Sequence, residues 1–190
     1  MNDNLDNFKD EIKKELASDS NSIFEIKSAN QFIEIAKNRP IPKMLFGEFW
    51  FEGEICILFA DTNLGKSILA VQIANSISTG ISTCGLKLEC PPTPIIYFDF
   101  ELSDKQFENR YSENFTNHFS FSPNFLRAEI NPDYFEDKRF KTFEEFLFYS
   151  LEKSIIDFGV KVLIVDNITY LKSDNEKAKD ALPLMKFLKD

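Results

Sequence analysis

The most constraining feature of this sequence is a junction. Glu54 to Ala60, EICILFA, is a short continuous apolar run that leads through DTNL into Gly65-Lys66-Ser67 and then into ILAVQIANSIS. An apolar run of that length is the pattern of a strand buried on both faces, as in parallel sheets. The residues after Gly65 read as a helix, with Ile68, Val71, Ile73 and Ile77 available to pack on that sheet. A glycine-bearing turn at the start of a helix gathers unpaired N–H groups and the positive end of the helix dipole at one point, which suits an anion. The expectation is a phosphate-binding loop for ATP. Gly65 lets the backbone approach phosphate, Lys66 reaches the β and γ phosphates, and the Ser67 hydroxyl ligates Mg²⁺. The nucleotide contacts are expected over Ala60, Asp61, Thr62, Asn63, Leu64, Gly65, Lys66, Ser67 and Ile68.

Ala60 stands where the pattern G-x-x-x-x-G-K-[ST] has its first glycine. An alanine forced into a left-handed conformation costs about 1–2 kcal/mol. Charge-assisted hydrogen bonds from several loop donors contribute about 1.5–3 kcal/mol each, so the substitution does not abolish the site. An alanine that stays in the β region costs nothing.

Beyond the junction, strands alternate with helices. Residues 4–17 read as an amphipathic helix and NQFIEIAKN as a second, stopped before the prolines of RPIPKML. Ile95 to Phe100 forms a second buried strand, followed by a helix that Ser103 caps. NFLRAEI supplies a third strand. Thr142 and Glu145 match a capping box for the helix FEEFLFYSLEKSIIDF, which Gly159 closes, and VKVLIVD is the next strand, ending at Asp166. The fold class expected is α/β, a mostly parallel sheet flanked by helices. Residues 1–40 form an N-terminal helical extension and residues 41–190 the core.

Composition narrows the partners. A net charge of −9 over 190 residues gives no electrostatic footprint of a nucleic-acid binder. The basic residues are scattered, and Lys13-Lys14, Arg127 and Lys138-Arg139 read as solvated surface. The 21 phenylalanines read as core building blocks. Three cysteines without a Cys-x-x-Cys pair and a single His118 argue against a zinc site or a disulfide framework. No apolar run approaches the ~20 residues of a membrane span, and the acidic start MNDNLDNFKDE is not a signal peptide, so the expected location is the cytoplasm.

Two more acids complete the expected chemistry. Asp166 ends the run VLIVD, at the strand edge where open α/β sheets bind ligands, and is the second Mg²⁺ position. The next residue is Asn167, so no glutamate adjoins it. Asp99 and Glu101 share one face at the end of the second strand, with Phe100 on the other. Glu101, nearer the edge where the γ phosphate belongs, is the candidate for polarising the attacking water, and Lys66 is its catalytic partner on the phosphate.

Taken together, LFADTNLGKSILAVQIANSI, IIYFDFELSDKQFENRY and VKVLIVDNITYL resemble the RecA-like P-loop ATPases, especially the plasmid RepA type of hexameric replicative helicase and related AAA ATPases of mobile elements. The resemblance covers roughly residues 40–175. It implies a hydrolase with Glu101 as the catalytic glutamate, Ser67 and Asp166 at the magnesium positions, and Arg110 near the base. For the complete protein it also implies a homo-hexamer and helicase-like coupling to DNA replication or mobilisation. Members of that group carry further strands after the Asp166 segment, one of which lies between that strand and the loop strand. Only 24 residues follow Asp166 here, so the expected sheet lacks its C-terminal strands.

Two other readings stay open on the residues. One is a nucleotide-binding or oligomerising module that does not hydrolyse ATP. The other is a small-molecule P-loop kinase, which needs an arginine-bearing lid that the scattered basic residues do not supply.

Overall fold

The computed structural model describes residues 24–61, 63–131 and 139–167, and these fall into two units that divide after Ile41. In the first unit, helix α1 (Ala29–Ala36) opens with a reciprocal cap. The Ser28 hydroxyl accepts from the Gln31 N–H at 3.3 Å, and the Gln31 side chain accepts from the Ser28 N–H at 2.9 Å. No residue of α1 is buried. The helix expected over 4–17 lies outside the described residues.

The second unit is a three-layer α/β structure. Its elements run α2 (Lys66–Thr79), β1 (Ile95–Asp99), α3 (Asp104–Arg110), β2 (Phe125–Ala128), α4 (Phe143–Phe158) and β3 (Val162–Asp166). The strands form one parallel sheet in the order β2-β1-β3, so β1 is central. A central parallel strand is covered on both faces, and all five β1 residues are buried, in a stretch rich in β-branched and aromatic side chains. Ile95 and Tyr97 face α2, where they meet Val71, Ile73 and Ile77. Ile96 and Phe98 face the opposite layer and pack with Leu151 of α4. At about 1.5–3 kcal/mol for each large apolar side chain fully buried, these two layers hold the unit together.

The helix ends follow local chemistry. Ser103 and Gln106 cap α3 reciprocally. The Thr142 hydroxyl accepts from the Glu145 N–H, while the Glu145 carboxylate accepts from the Lys141 N–H, one residue before the position that a capping box uses. Gly159 ends α4 in the left-handed region at φ 60°.

Hydrogen bonds fix the direction of α2. At its C-terminal end the Ile77 carbonyl accepts from the Thr93 N–H, just before β1. The Ser78 carbonyl accepts from Ser122 and Asn124, just before β2. The end of α2 therefore lies at the N-terminal ends of the strands, and its first residues point toward their C-terminal ends.

Two expectations are corrected here. Residues 54–60 form no strand. Among the described residues Ile55 to Phe59 take part in no ladder, and Ile57 is 63% and Phe59 87% exposed. A strand needs a neighbour to satisfy its backbone groups. In the architecture that the sequence resembles, another strand separates this segment from β3, and no such strand is among the described residues. Ile68 is also turned outward at 48% exposure. The buried stripe of α2 is Ala70, Val71, Ile73, Ala74 and Ile77, and Ile68 lies roughly 200° around the helix from Ala70.

Candidate functional site at the C-terminal edge of the sheet

The loop before α2 curls around its own lysine. The Lys66 ammonium donates to the Ala60 carbonyl at 2.6 Å and to the Asp61 carbonyl at 3.1 Å. Asn63 and Gly65 both have positive φ, 66° and 83°. Gly65 precedes the first helical residue and α2 has no side-chain cap, which leaves first-turn N–H groups directed out of the helix end. A Cβ built on Gly65 would meet nothing within 4 Å, so the space around the turn is open. Asp61 and Leu64 are exposed, and Ser67 is half-buried in the first turn. Thr62 lies outside the described residues.

The acids expected at the sheet edge are brought together by register. Asp99 is paired with Asp166 across β1 and β3, and the Phe100 N–H donates to the Asp166 carbonyl at 2.7 Å. Phe100 joins the layer on the α4 side, as strand alternation requires, and Glu101 is exposed just beyond the strand. Because α2 points its first residues at this same edge, Lys66, Ser67, Glu101 and Asp166 open onto one side of the unit. Arg110 is exposed in the last turn of α3, a helix about 10 Å long. Nothing among the described residues joins it to the loop.

Asp99 and Asp166 are held differently. The Tyr97 hydroxyl, buried beneath them, donates to Asp166 Oδ2 at 2.6 Å. Burial pushes this hydroxyl far above the ordinary tyrosine value, and the bond to Asp166 pushes the same way. Asp99 is 2% exposed and fully engaged. Its Oδ1 accepts from the N–H groups of Glu101 and Leu102, and its Oδ2 accepts from Arg127 Nε at 3.0 Å. Asp99 is therefore a structural acid. Glu101, whose backbone it holds, keeps its carboxylate toward solvent.

The reading of Arg127 as solvated surface is corrected, because its side chain is only 17% exposed and is paired with Asp99. Sequence reasoning also passed over Tyr97. Both lie on the strand parity that carries Asp99 and Asp166 to the α2 face, a signal that becomes legible only once the register is known.

These groups fit a magnesium nucleotide by the chemistry of their donors. Among the described residues Asp166 Oδ1 carries no hydrogen bond, so one oxygen stays available for an ion or its water. No three His, Cys, Asp or Glu side chains among the described residues gather to hold a metal. A cation here would take its other ligands from phosphate and water, as Mg²⁺ does. No helix among the described residues is long and apolar enough to cross a membrane.

No curated protein and no solved structure gives a significant match. A family model described as an AAA domain matches residues 21–189, which take in the loop, the sheet and its flanking helices. The chain belongs to the AAA domain family of P-loop ATPases.

Proposed function

We propose that the chain binds Mg·ATP at the start of α2 and hydrolyses it at the C-terminal edge of the sheet. The observation that carries this reading is the course of α2, which turns the Gly65-Lys66-Ser67 end toward the strand ends bearing Asp166 and Glu101. Lys66 leaves the loop carbonyls to pair with the β and γ phosphates, and the first-turn N–H groups of α2 bind their oxygens. Ser67 and Asp166 hold Mg²⁺, which when bound draws negative charge from the phosphate oxygens. Glu101 orients the attacking water and receives its proton. Assembly into a hexamer and coupling to DNA are supported by the resemblance to RepA-type helicases. The net charge of −9 adds no support for DNA.

Calorimetry with ATP and Mg²⁺, run beside a phosphate-release assay, tests the reading. Lys66→Ala should weaken ATP binding about tenfold or more, the equivalent of one charge-assisted hydrogen bond. Glu101→Gln should bind ATP as the parent does and release no phosphate. Unchanged affinity in the first variant, or full turnover in the second, would remove the assignment.

One observation favours a second reading, binding without hydrolysis. Residues 54–60 lie outside the sheet, so the entry to the loop lacks the rigid strand that would fix the γ phosphate against Glu101. Enzymes of this class that lack an arginine finger also lose about 10³–10⁵ in turnover. ATP binding by the unaltered chain without phosphate release is the signature of this reading.

A further inference from the structure

The turn that carries Glu101 is held by an ion pair from a different strand. Arg127, the third residue of β2, reaches across to β1 and places Nε 3.0 Å from Asp99 Oδ2. Its Nη2 donates to the Leu102 carbonyl at 2.5 Å, and its Nη1 donates to Glu129 at 3.0 Å. The guanidinium also lies 4.7 Å from the ring centroid of Phe107 in α3. From the other side, Asp99 Oδ1 accepts the Glu101 N–H at 3.2 Å and the Leu102 N–H at 2.9 Å. The peptide groups on both sides of the Glu101–Leu102 link are thus tied to one charge pair of a buried Asp99 and a partly buried Arg127, while the Glu101 side chain is left outside it.

We infer that Arg127 and Asp99 are positioning residues, which fix the Glu101 backbone so that its carboxylate stands at a set place over the edge of the sheet. The inference rests on the proposed role of Glu101. A planar guanidinium can serve Asp99, the Leu102 carbonyl and the Phe107 ring at once, because its donors are arranged as a rigid fork. A lysine at the same place keeps the charge beside Asp99 but reaches one of these partners at a time. A pair built only for stability would accept that exchange without effect on the chemical step. A pair that positions Glu101 would not, since a carboxylate displaced by about 1 Å from its reacting geometry can lose on the order of 10²-fold in rate.

Arg127→Lys in the full chain is the test, because it leaves no uncompensated charge beside buried Asp99. ATP affinity should stay within about twofold while the turnover number falls about tenfold or more, intermediate between the parent and the full effect of a misplaced acid. Amide hydrogen exchange gives a readout independent of turnover. The N–H groups of Glu101 and Leu102 should exchange faster, with those of Ile96 to Phe98 unchanged. The double substitution Asp99→Asn, Arg127→Met removes both charges together, and it should show the same split between affinity and turnover. Unchanged exchange at Glu101 and Leu102, or a normal rate in Arg127→Lys beside an inactive Glu101→Gln, overturns the inference alone. Normal turnover in Glu101→Gln overturns the function proposed for Glu101 and this inference with it.

Discussion

At the scale of single residues, the two glycines that flank α2 separate conformational cost from steric cost. Gly65 at its start and Gly80 at its end both sit in the left-handed region, at φ 83° and 71°. An alanine at Gly65 would meet open space, so its cost in stability is conformational, about 1–2 kcal/mol. An alanine at Gly80 would bring its Cβ to 2.8 Å from Pro92 Cδ and 3.0 Å from Pro92 N, a proline ring and a backbone atom that cannot step aside. Gly80→Ala should therefore lose more stability than Gly65→Ala, by a further ~1–3 kcal/mol of overpacking. Chemical denaturation of the two variants measures the difference. Equal losses would mean that Pro92 does not approach α2 as described. Only Gly65→Ala should also weaken ATP binding, because only its turn faces the proposed phosphate.

At the scale of elements, what could be read in the sequence follows from where the determining contacts lie. Ser103, Thr142 and Gly159 mark helix ends through bonds to residues within four positions, so the start of α3 and both ends of α4 are legible. Runs such as IIYFD and VLIVD mark strands by their own side chains. Register is not written in any one segment, and the Asp99–Arg127 and Tyr97–Asp166 pairs bridge 28 and 69 positions of chain. The run 54–60 shows the limit most clearly. It has the composition of a buried strand, yet pairing depends on a neighbour that another part of a chain must provide. Ile57→Ala should accordingly cost no more than ~0.5 kcal/mol, as at other exposed positions. Ile96→Ala, at a site 3% exposed in β1, should cost about 2–5 kcal/mol. A loss at Ile57 as large as that at Ile96 would show that the segment packs as a strand in solution.

At the scale of the whole molecule, an acidic chain concentrates carboxylates at one edge of its sheet and holds them there with donors of two kinds. Arg127 answers Asp99 with a charge, while Tyr97 answers Asp166 with a neutral hydroxyl. The second choice ties stability to pH on the alkaline side. Burial and the bond to Asp166 raise the folded-state pKa of Tyr97 far above the ordinary value of 10.0, which an unfolded chain recovers. The contribution is complete below pH 10. Above it the unfolded chain gives up a proton that the folded chain retains, so stability falls as pH rises. One such proton is worth about 1.4 kcal/mol per pH unit. Tyr111, whose pKa is raised chiefly by burial and also by Asp99 and Asp166, adds a loss of the same sign. In urea unfolding at pH 9 and pH 11, Tyr97→Phe should start less stable than the parent because Asp166 loses its donor. It should then lose stability less steeply between the two pH values, by up to about 1.4 kcal/mol per unit above pH 10. Parallel losses in the two chains would mean that the Tyr97 hydroxyl ionises as readily in the fold as out of it, which a buried donor facing a carboxylate cannot do.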